Sequence, residues 1–430
     1  MRVVWSDGSA GSVAELTRAV LDALDGGPTV LPLDPRNPSA DAVRAAMRPG
    51  EAVEPGTAVI IPTSGSTGRP KGTVLSARAL LASADATHAR LGGPGRWLLA
   101  TPPAYIGGLQ VLVRSHLAGT TPVVCDLSRG FRPEAFAQAA RELLASPGPH
   151  YTALVPTQLA RLLDMRDTTG TRGTTDPTDT EDTSGANDTD GTDGTGADPV
   201  ELAASLDAIV LGGAACPEPL RRRAEHAGLS VVPSYGMSET ASGCVYDGIP
   251  LDGVRVRLGD ADRIEISGPM LADGYRLDPE LTAASFVDGW FRTSDVGRFT
   301  GDGRLEVLGR LDDVINTGGV KVAARDVEDV LTRCPGVSAA CVVGLPDPEW
   351  GHRVAAVVAI TRNVADADTA EVTGERLRDA VRAELGGAAT PKQIRAVAEL
   401  PLLGPGKVDR SAVRRLLLGH VDHESADAEE

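Results

Sequence analysis

Between Ile60 and Ser76 the chain reads IIPTSGSTGRPKGTVLS, a short apolar run that enters a stretch of Gly, Ser and Thr and ends on a lysine. Thr63, Ser64, Gly65, Ser66, Thr67 and Gly68 offer backbone N–H groups and hydroxyls, and Lys71 offers a cation, which together suit a chain of phosphates. The Walker form is excluded, because Pro70 rather than Gly precedes Lys71 and Gly72 rather than a hydroxyl follows it. Farther along, Val232 to Thr240 reads VPSYGMSET. Adenine needs a flat partner, and a triphosphate that enters with magnesium needs a hard oxygen ligand. Tyr235 and Glu239 have those chemistries, although a carboxylate at this place also suits a helix start. No G-x-S-x-G elbow occurs, so Ser64 and Ser66 read as phosphate donors rather than nucleophiles. The seven histidines lack metal spacing and read as structural or solvated.

These residues require a scaffold that delivers loops to one edge. From about residue 57, apolar β-rich runs (Ala58 to Pro62, Trp97 to Thr101, Pro122 to Cys125, Thr152 to Val155, Leu206 to Leu211, Ser230 to Pro233) alternate with helical patterns such as Ala77 to Leu91 and Pro133 to Ala145. The alternation predicts an α/β fold, a large domain of parallel sheet layered with helices, whose ligands sit at the carboxyl ends of strands. After Leu251 short alternating strands predict a small barrel-like antiparallel subdomain. Beyond Arg310 a mixed pattern of about a hundred residues predicts a separate, mobile α+β lobe. The expected organisation is therefore 1–310, 311–420 and an acidic tail at 421–430.

Five scattered cysteines without a C-x-x-C pair argue against a disulfide framework or a zinc site, and read as reduced core residues. Residues 167–199 are almost wholly Thr, Asp and Gly and predict a disordered insert, since they carry too few apolar groups to offset ordering. Of the formal charge of −17, this insert holds −8 and the tail −5, which leaves −4 for the rest and disfavours a nucleic-acid partner. No apolar run reaches the length of a membrane span and no signal peptide opens the chain, so no membrane insertion and a cytoplasmic location are expected. A homodimer is the assembly considered.

Taken together, TSGSTGRPKG and YGMSET resemble the two nucleotide signatures of the adenylate-forming superfamily, which comprises acyl-CoA synthetases, luciferases and adenylation domains. The resemblance implies ATP, Mg2+ and coenzyme A as cofactor and substrates, with Glu239 on the metal and Thr240 at the α-phosphate. It further implies Gly212, Gly213 and Ala214 beside the adenine, Tyr235 and Gly236 at the nucleotide, Asp295 on the ribose and Arg310 reinforcing it. Asp312 would be the hinge about which the small lobe swings, and Gly318 and Gly319 would line the pantetheine tunnel. Lys407, in LLGPGKVDR, corresponds to the catalytic lysine of adenylation. Two further stretches, TPPAYIGGLQVLVRSHLAG and SYGMSETASGCVYDGIPLDGVRVRL, resemble the 2-succinylbenzoate–CoA ligases of menaquinone biosynthesis. In that reading Tyr105, Ile106 and Gly107, with Met237 and Ser238, wall the aromatic acid, while Arg114 and Gln110, one turn apart, anchor its second carboxylate. Tyr105 stands where this branch commonly has His. The alternative is an AMP-forming ligase, or a carrier-loading adenylation enzyme, for another aryl or aliphatic acid.

Overall fold

The computed structural model describes residues 1–64, 70–169, 198–360, 373–403 and 407–419; of Ser64, residues 166–169, Asp312, Leu403 and Lys407 only the backbone is described. The large part of the chain is built on two sheets, with an α/β arrangement as expected. One sheet runs in the order Arg2–Trp5, Val30–Leu33, Thr57–Ser64, Pro70–Ser76, Gly274–Tyr275. The first three strands are parallel, and the last two turn antiparallel. The sequence pattern starts the sheet near residue 57, whereas the structure begins it at Arg2. The helix Ala10–Leu24 makes the first 33 residues a β-α-β unit, with Ser9 accepting from Ser12 N at its start and Val13, Leu16, Ala19, Val20 and Ala23 buried. Both strands of that unit are only four residues long, so they carry too little period to stand out.

The second sheet has seven strands, ordered Ile249–Pro250, Ser242–Tyr246, Val231–Met237, Ala208–Leu211, His150–Leu154, Arg96–Leu99, Val123–Val124. Its last five strands are parallel, and Ser242–Tyr246 folds back antiparallel on Val231–Met237. Helices cover both faces. One side packs Ala77–Leu91 and Ile106–Leu117 into the core that also holds Trp97, Tyr151 and Tyr246; the other packs Phe136, Leu143, Leu159 and Leu162 against Leu98, Leu154 and Ile209. Each such side chain contributes roughly 1.5–3 kcal/mol on leaving water. Helix ends follow local chemistry: Ser76 accepts from Ala79 N at the start of Ala77–Leu91, and Gly92 closes that helix at φ +95°.

The predicted barrel-like subdomain is a five-stranded antiparallel sheet, in which Trp290–Phe299 pairs with Arg263–Ser267, Phe286–Val287 and Leu305–Arg310. The small lobe pairs Val337–Asp347 with Gly351–Ile360 and packs helices Ala324–Arg333 and Gly374–Leu385 around Val327, Val342 and Val381. Arg325 donates to Val307 O, linking that lobe to the antiparallel sheet. The proposed insert is narrower than its composition suggests. Residues 167–169 complete the helix Pro156–Thr169, and Asp198 caps Pro199–Ala204, while 170–197 lie outside the described residues, as does the whole acidic tail 421–430. Among the described residues no helix is long and apolar enough to cross a membrane.

Candidate active site

The strands on either side of the Gly/Ser/Thr-rich segment pair with each other. Thr57–Ser64 runs antiparallel to Pro70–Ser76, with Thr63 opposite Lys71, so Thr63 and Lys71 flank residues 65–69, which lie outside the described residues. Gly72 has no room for a side chain: a Cβ there would stand 2.4 Å from Met47 Sδ and 2.8 Å from Ile60 Cγ2.

Lys71 reaches the second signature across 168 positions of sequence. Its Nζ donates to Glu239 Oε1 at 2.9 Å. The Tyr275 hydroxyl donates to the same oxygen at 2.8 Å and lies 3.2 Å from Nζ, which sits 4.5 Å above the Tyr275 ring. Burial, and then the neighbouring Glu239 carboxylate, push the Tyr275 phenol above its ordinary range, so it stays a donor. Tyr275 was not foreseen. Its only signal is an aromatic after Gly274, before the Asp278-Pro279-Glu280 start of a short helix, and an isolated aromatic in a strand reads as core.

Glu239 is held by a tight reversal. The strand Val231–Met237 ends in the 3-10 turn Ser238–Thr240, after which Ala241 and Ser242 take φ of +49° and +98°. Such backbone persists only where its surroundings over-determine it. Ser83 Oγ and Gln110 Nε2 both donate to Ala241 O at 2.9 Å, and a Cβ on Gly236 would stand 2.1 Å from Ser242 O. The Gln110 amide nitrogen is thus a buried strut, with its second bond to Leu80 O. The Thr240 hydroxyl is likewise turned inward, fully buried and bonded to Ser242 O at 2.7 Å and Met237 N at 2.9 Å. Ser238 is buried beside it, and Met237 is half-buried.

On the same strand as Met237, Tyr235 donates to Asp295 Oδ2 at 2.7 Å, and Asp295 faces Arg310 in register across two strands. Burial, followed by Asp295, raises the Tyr235 phenol well above its usual range. Gly212 lies close enough to the same strand that a Cβ would be 3.3 Å from Ser234 O; Gly213 takes φ +81°, and exposed Ala214 follows.

The helix Ile106–Leu117 begins at Tyr105, whose hydroxyl is shifted upward by burial and by Asp34, with Arg36 opposing. Ile106 packs on the large core, and Gly107 faces open space. Arg114 is not a surface cation: it is 1% exposed, stacked 4.9 Å over Trp97, and its Nη2 donates to Tyr246 at 3.5 Å. Among the described residues no carboxylate pairs with it, and its Nε, like Gln110 Oε1, is buried without a partner. All five cysteines are free thiols, and Cys125, Cys244 and Cys341 are buried, each pushed up to about 12 by that burial.

The remaining expected residues lie in the small lobe. Asp312 is in the turn Leu311–Asp313, and Gly318 and Gly319 form the hairpin turn between Val314–Thr317 and Val320–Ala323, with φ of +56° and +81°. A Cβ on Gly318 would meet Trp350 at 2.5 Å, whereas one on Gly319 would meet nothing, and its positive φ is what favours glycine there. Lys407 opens the strand Lys407–Val408, paired with Leu402–Leu403; its side chain lies outside the described residues. The structure therefore joins Lys71 to Glu239 and Tyr235 to Asp295.

The AMP-binding enzyme family matches residues 13–275, and the AMP-binding enzyme C-terminal domain matches 326–407. The chain belongs to the AMP-binding enzyme family. A probable 2-succinylbenzoate–CoA ligase of Mycobacterium tuberculosis is 40% identical over 419 residues, which cover 96% of this chain and 98% of that protein. The family's solved structures include an amide bond synthetase from Marinactinospora thermotolerans (TM-score 0.68, 28% identity, 96% of this chain and 79% of that one). The o-succinylbenzoate–CoA synthetase of Bacillus subtilis, solved with its acyl-adenylate intermediate, shares the fold of this AMP-binding enzyme at TM-score 0.66 and 24% identity, over 96% of this chain and 82% of its own.

Proposed function

We propose that the chain ligates 2-succinylbenzoate to coenzyme A in two AMP-forming steps. The observation that carries adenylation is the convergence of Lys71 and Glu239 at 2.9 Å, which brings the cation of one nucleotide signature onto the carboxylate of the other. In the first step the aliphatic carboxylate attacks the α-phosphorus of ATP; a new P–O bond forms, the bond to pyrophosphate breaks, and Lys71 receives charge on the phosphate chain. In the second, the coenzyme A sulfur attacks the acyl carbonyl, the bond to AMP breaks, and the thiol proton passes to solvent. Holding acid and triphosphate side by side supplies roughly 7 to 11 kcal/mol of the first barrier.

Asp295, next to Arg310, would accept from the ribose hydroxyls once Tyr235 gives way, leaving the tyrosine ring for the adenine. Lys407 would supply the second cation at the α-phosphate, and Thr240 would join it when its turn opens. Swinging of the 311–420 lobe about Asp312 would bring coenzyme A past Gly318 and Gly319.

Glu239 fits a magnesium ion: it is a nearly buried hard-oxygen donor whose hydrogen-bond partners among the described residues lie on Oε1. A magnesium ion that enters with a triphosphate takes most of its ligands from phosphate and water, so one protein carboxylate is enough to anchor it. Bound there, magnesium would neutralise charge on the departing pyrophosphate.

The identity of the acid rests on the 40% identical relative and on Arg114. A buried guanidinium without a carboxylate partner suits an acid with a second anion, and a water bonded to Arg114 Nε and Gln110 Oε1 would satisfy both orphaned atoms and carry that preference to the ring carboxylate. The test is turnover with ATP, coenzyme A and a panel of aryl and aliphatic acids. AMP and thioester should form fastest with 2-succinylbenzoate; turnover confined to another acid, or to a carrier phosphopantetheine, would contradict the assignment.

A further inference from the structure

We infer that Tyr275 is a positioning residue for the nucleotide step, holding Glu239 in place for the metal while Lys71 turns to the phosphates. The inference rests on the adenylation reading above. In the structure Glu239 Oε1 accepts two donors, Lys71 Nζ and the Tyr275 hydroxyl. The two differ in how freely they can leave. A triphosphate seated at the Gly/Ser/Thr-rich segment draws the lysine, whose side chain is 29% exposed on a four-carbon stem, away from Glu239.

Tyr275 has no such freedom. It is 5% exposed, and its strand pairs with Pro70–Ser76, placing Tyr275 opposite Thr73, two residues from Lys71. Its backbone N donates to Thr282 Oγ1 at 2.9 Å, and its ring meets Phe286 edge-on at 5.7 Å. The next residue, Arg276, is wholly buried; its backbone N donates to Gly72 O at 2.8 Å, and its guanidinium donates to Met47 O, Arg48 O and Ala52 O. The phenol is therefore a fixed donor between two signatures. With Lys71 gone it keeps one bond on Oε1, which holds the carboxylate's orientation and leaves Oε2 for the metal. Its ring remains beneath the ammonium path as a cation–π platform.

The test compares wild type with Tyr275→Phe, which keeps the ring, and Tyr275→Leu, which does not. Equilibrium binding of ATP is measured by calorimetry with and without Mg2+, alongside KM for ATP and for the acid, thioester formation from preformed acyl-adenylate, and thermal unfolding. Losing a hydrogen bond to a charged group should weaken Mg2+-dependent ATP binding, and raise KM for ATP, about tenfold in Tyr275→Phe. KM for the acid and thioester formation should stay within about twofold, and Tyr275→Leu should lose roughly a further threefold in ATP binding. Unchanged Mg2+-dependent binding in Tyr275→Phe, or equal losses in every readout that track unfolding, would overturn the role. A wild type that neither binds ATP nor forms adenylate would overturn the adenylation reading as well, which separates the two failures.

Discussion

His88 shows how this core treats charge. Its Nε2 accepts from Trp97 Nε1 at 3.3 Å, and Arg114 lies over the same tryptophan, so protonating the imidazole would both break a hydrogen bond and place two cations together. Burial first, and Arg114 next, pull His88 from its ordinary value of 6.5 to about 4, with Asp85 opposing. The unfolded chain takes up that proton as pH falls through about 6.5, and the folded chain resists until about 4. The stability contributed by the neutral ring is therefore complete above 6.5 and lost progressively down to 4. Thermal unfolding followed over this range should show the midpoint falling with acidity in wild type and a flatter curve in His88→Gln; parallel curves would contradict the assignment. At the same scale, residue type made some of the site legible and hid the rest. Lys71 and Glu239 are legible through the two signatures that hold them, TSGSTGRPKG and YGMSET, since a carboxylate after Tyr-Gly read alone equally suits a helix start. Gln110 has a structural use that its type does not announce, since its amide nitrogen braces Ala241. Tyr275 is invisible because its partners are 36 and 204 positions away.

Between elements, the junction of the Leu311–Asp313 turn and the small lobe depends on Arg410, the first residue of the helix Arg410–Leu418 and three positions beyond Lys407. It pairs with Asp313 at 3.2 Å and Glu328 at 3.0 Å and donates to Val342 O at 2.7 Å, joining the Leu311–Asp313 turn to the helix Ala324–Arg333. Burial raises Glu328 above its usual range while Arg410 opposes that rise, so removing the arginine strands a carboxylate. Arg410→Ala should cost roughly 2 to 3 kcal/mol, below the fully buried figure because 29% of the arginine side chain stays exposed. Hydrogen exchange should localise the loss to residues 311–360, and uniform loss over the large domain would contradict it. Long elements with clear caps, such as Ala77–Leu91, match their sequence pattern to the residue. The first strands do not, being too short, and the antiparallel pairing of Thr57–Ser64 with Pro70–Ser76 joins segments in a way that no local period encodes.

For the molecule as a whole, two sheets, an antiparallel sheet and a smaller lobe bring together signatures that are far apart in sequence. The two large sheets meet where the Pro70–Ser76 strand packs against the Ser238–Thr240 turn, and Lys71, Glu239 and Tyr275 lie at that seam. Only the signatures, not the seam, could be read from sequence, because the contact belongs to no single element. The central claim is that this seam activates an acid as its adenylate. With coenzyme A withheld, wild type given Mg·ATP and 2-succinylbenzoate should accumulate the acyl-adenylate by mass spectrometry and release one pyrophosphate per adenylate, while Glu239→Gln should lose on the order of a hundredfold or more in that rate. Release of ADP and phosphate in place of acyl-adenylate and pyrophosphate, or an undiminished rate in Glu239→Gln, would contradict it.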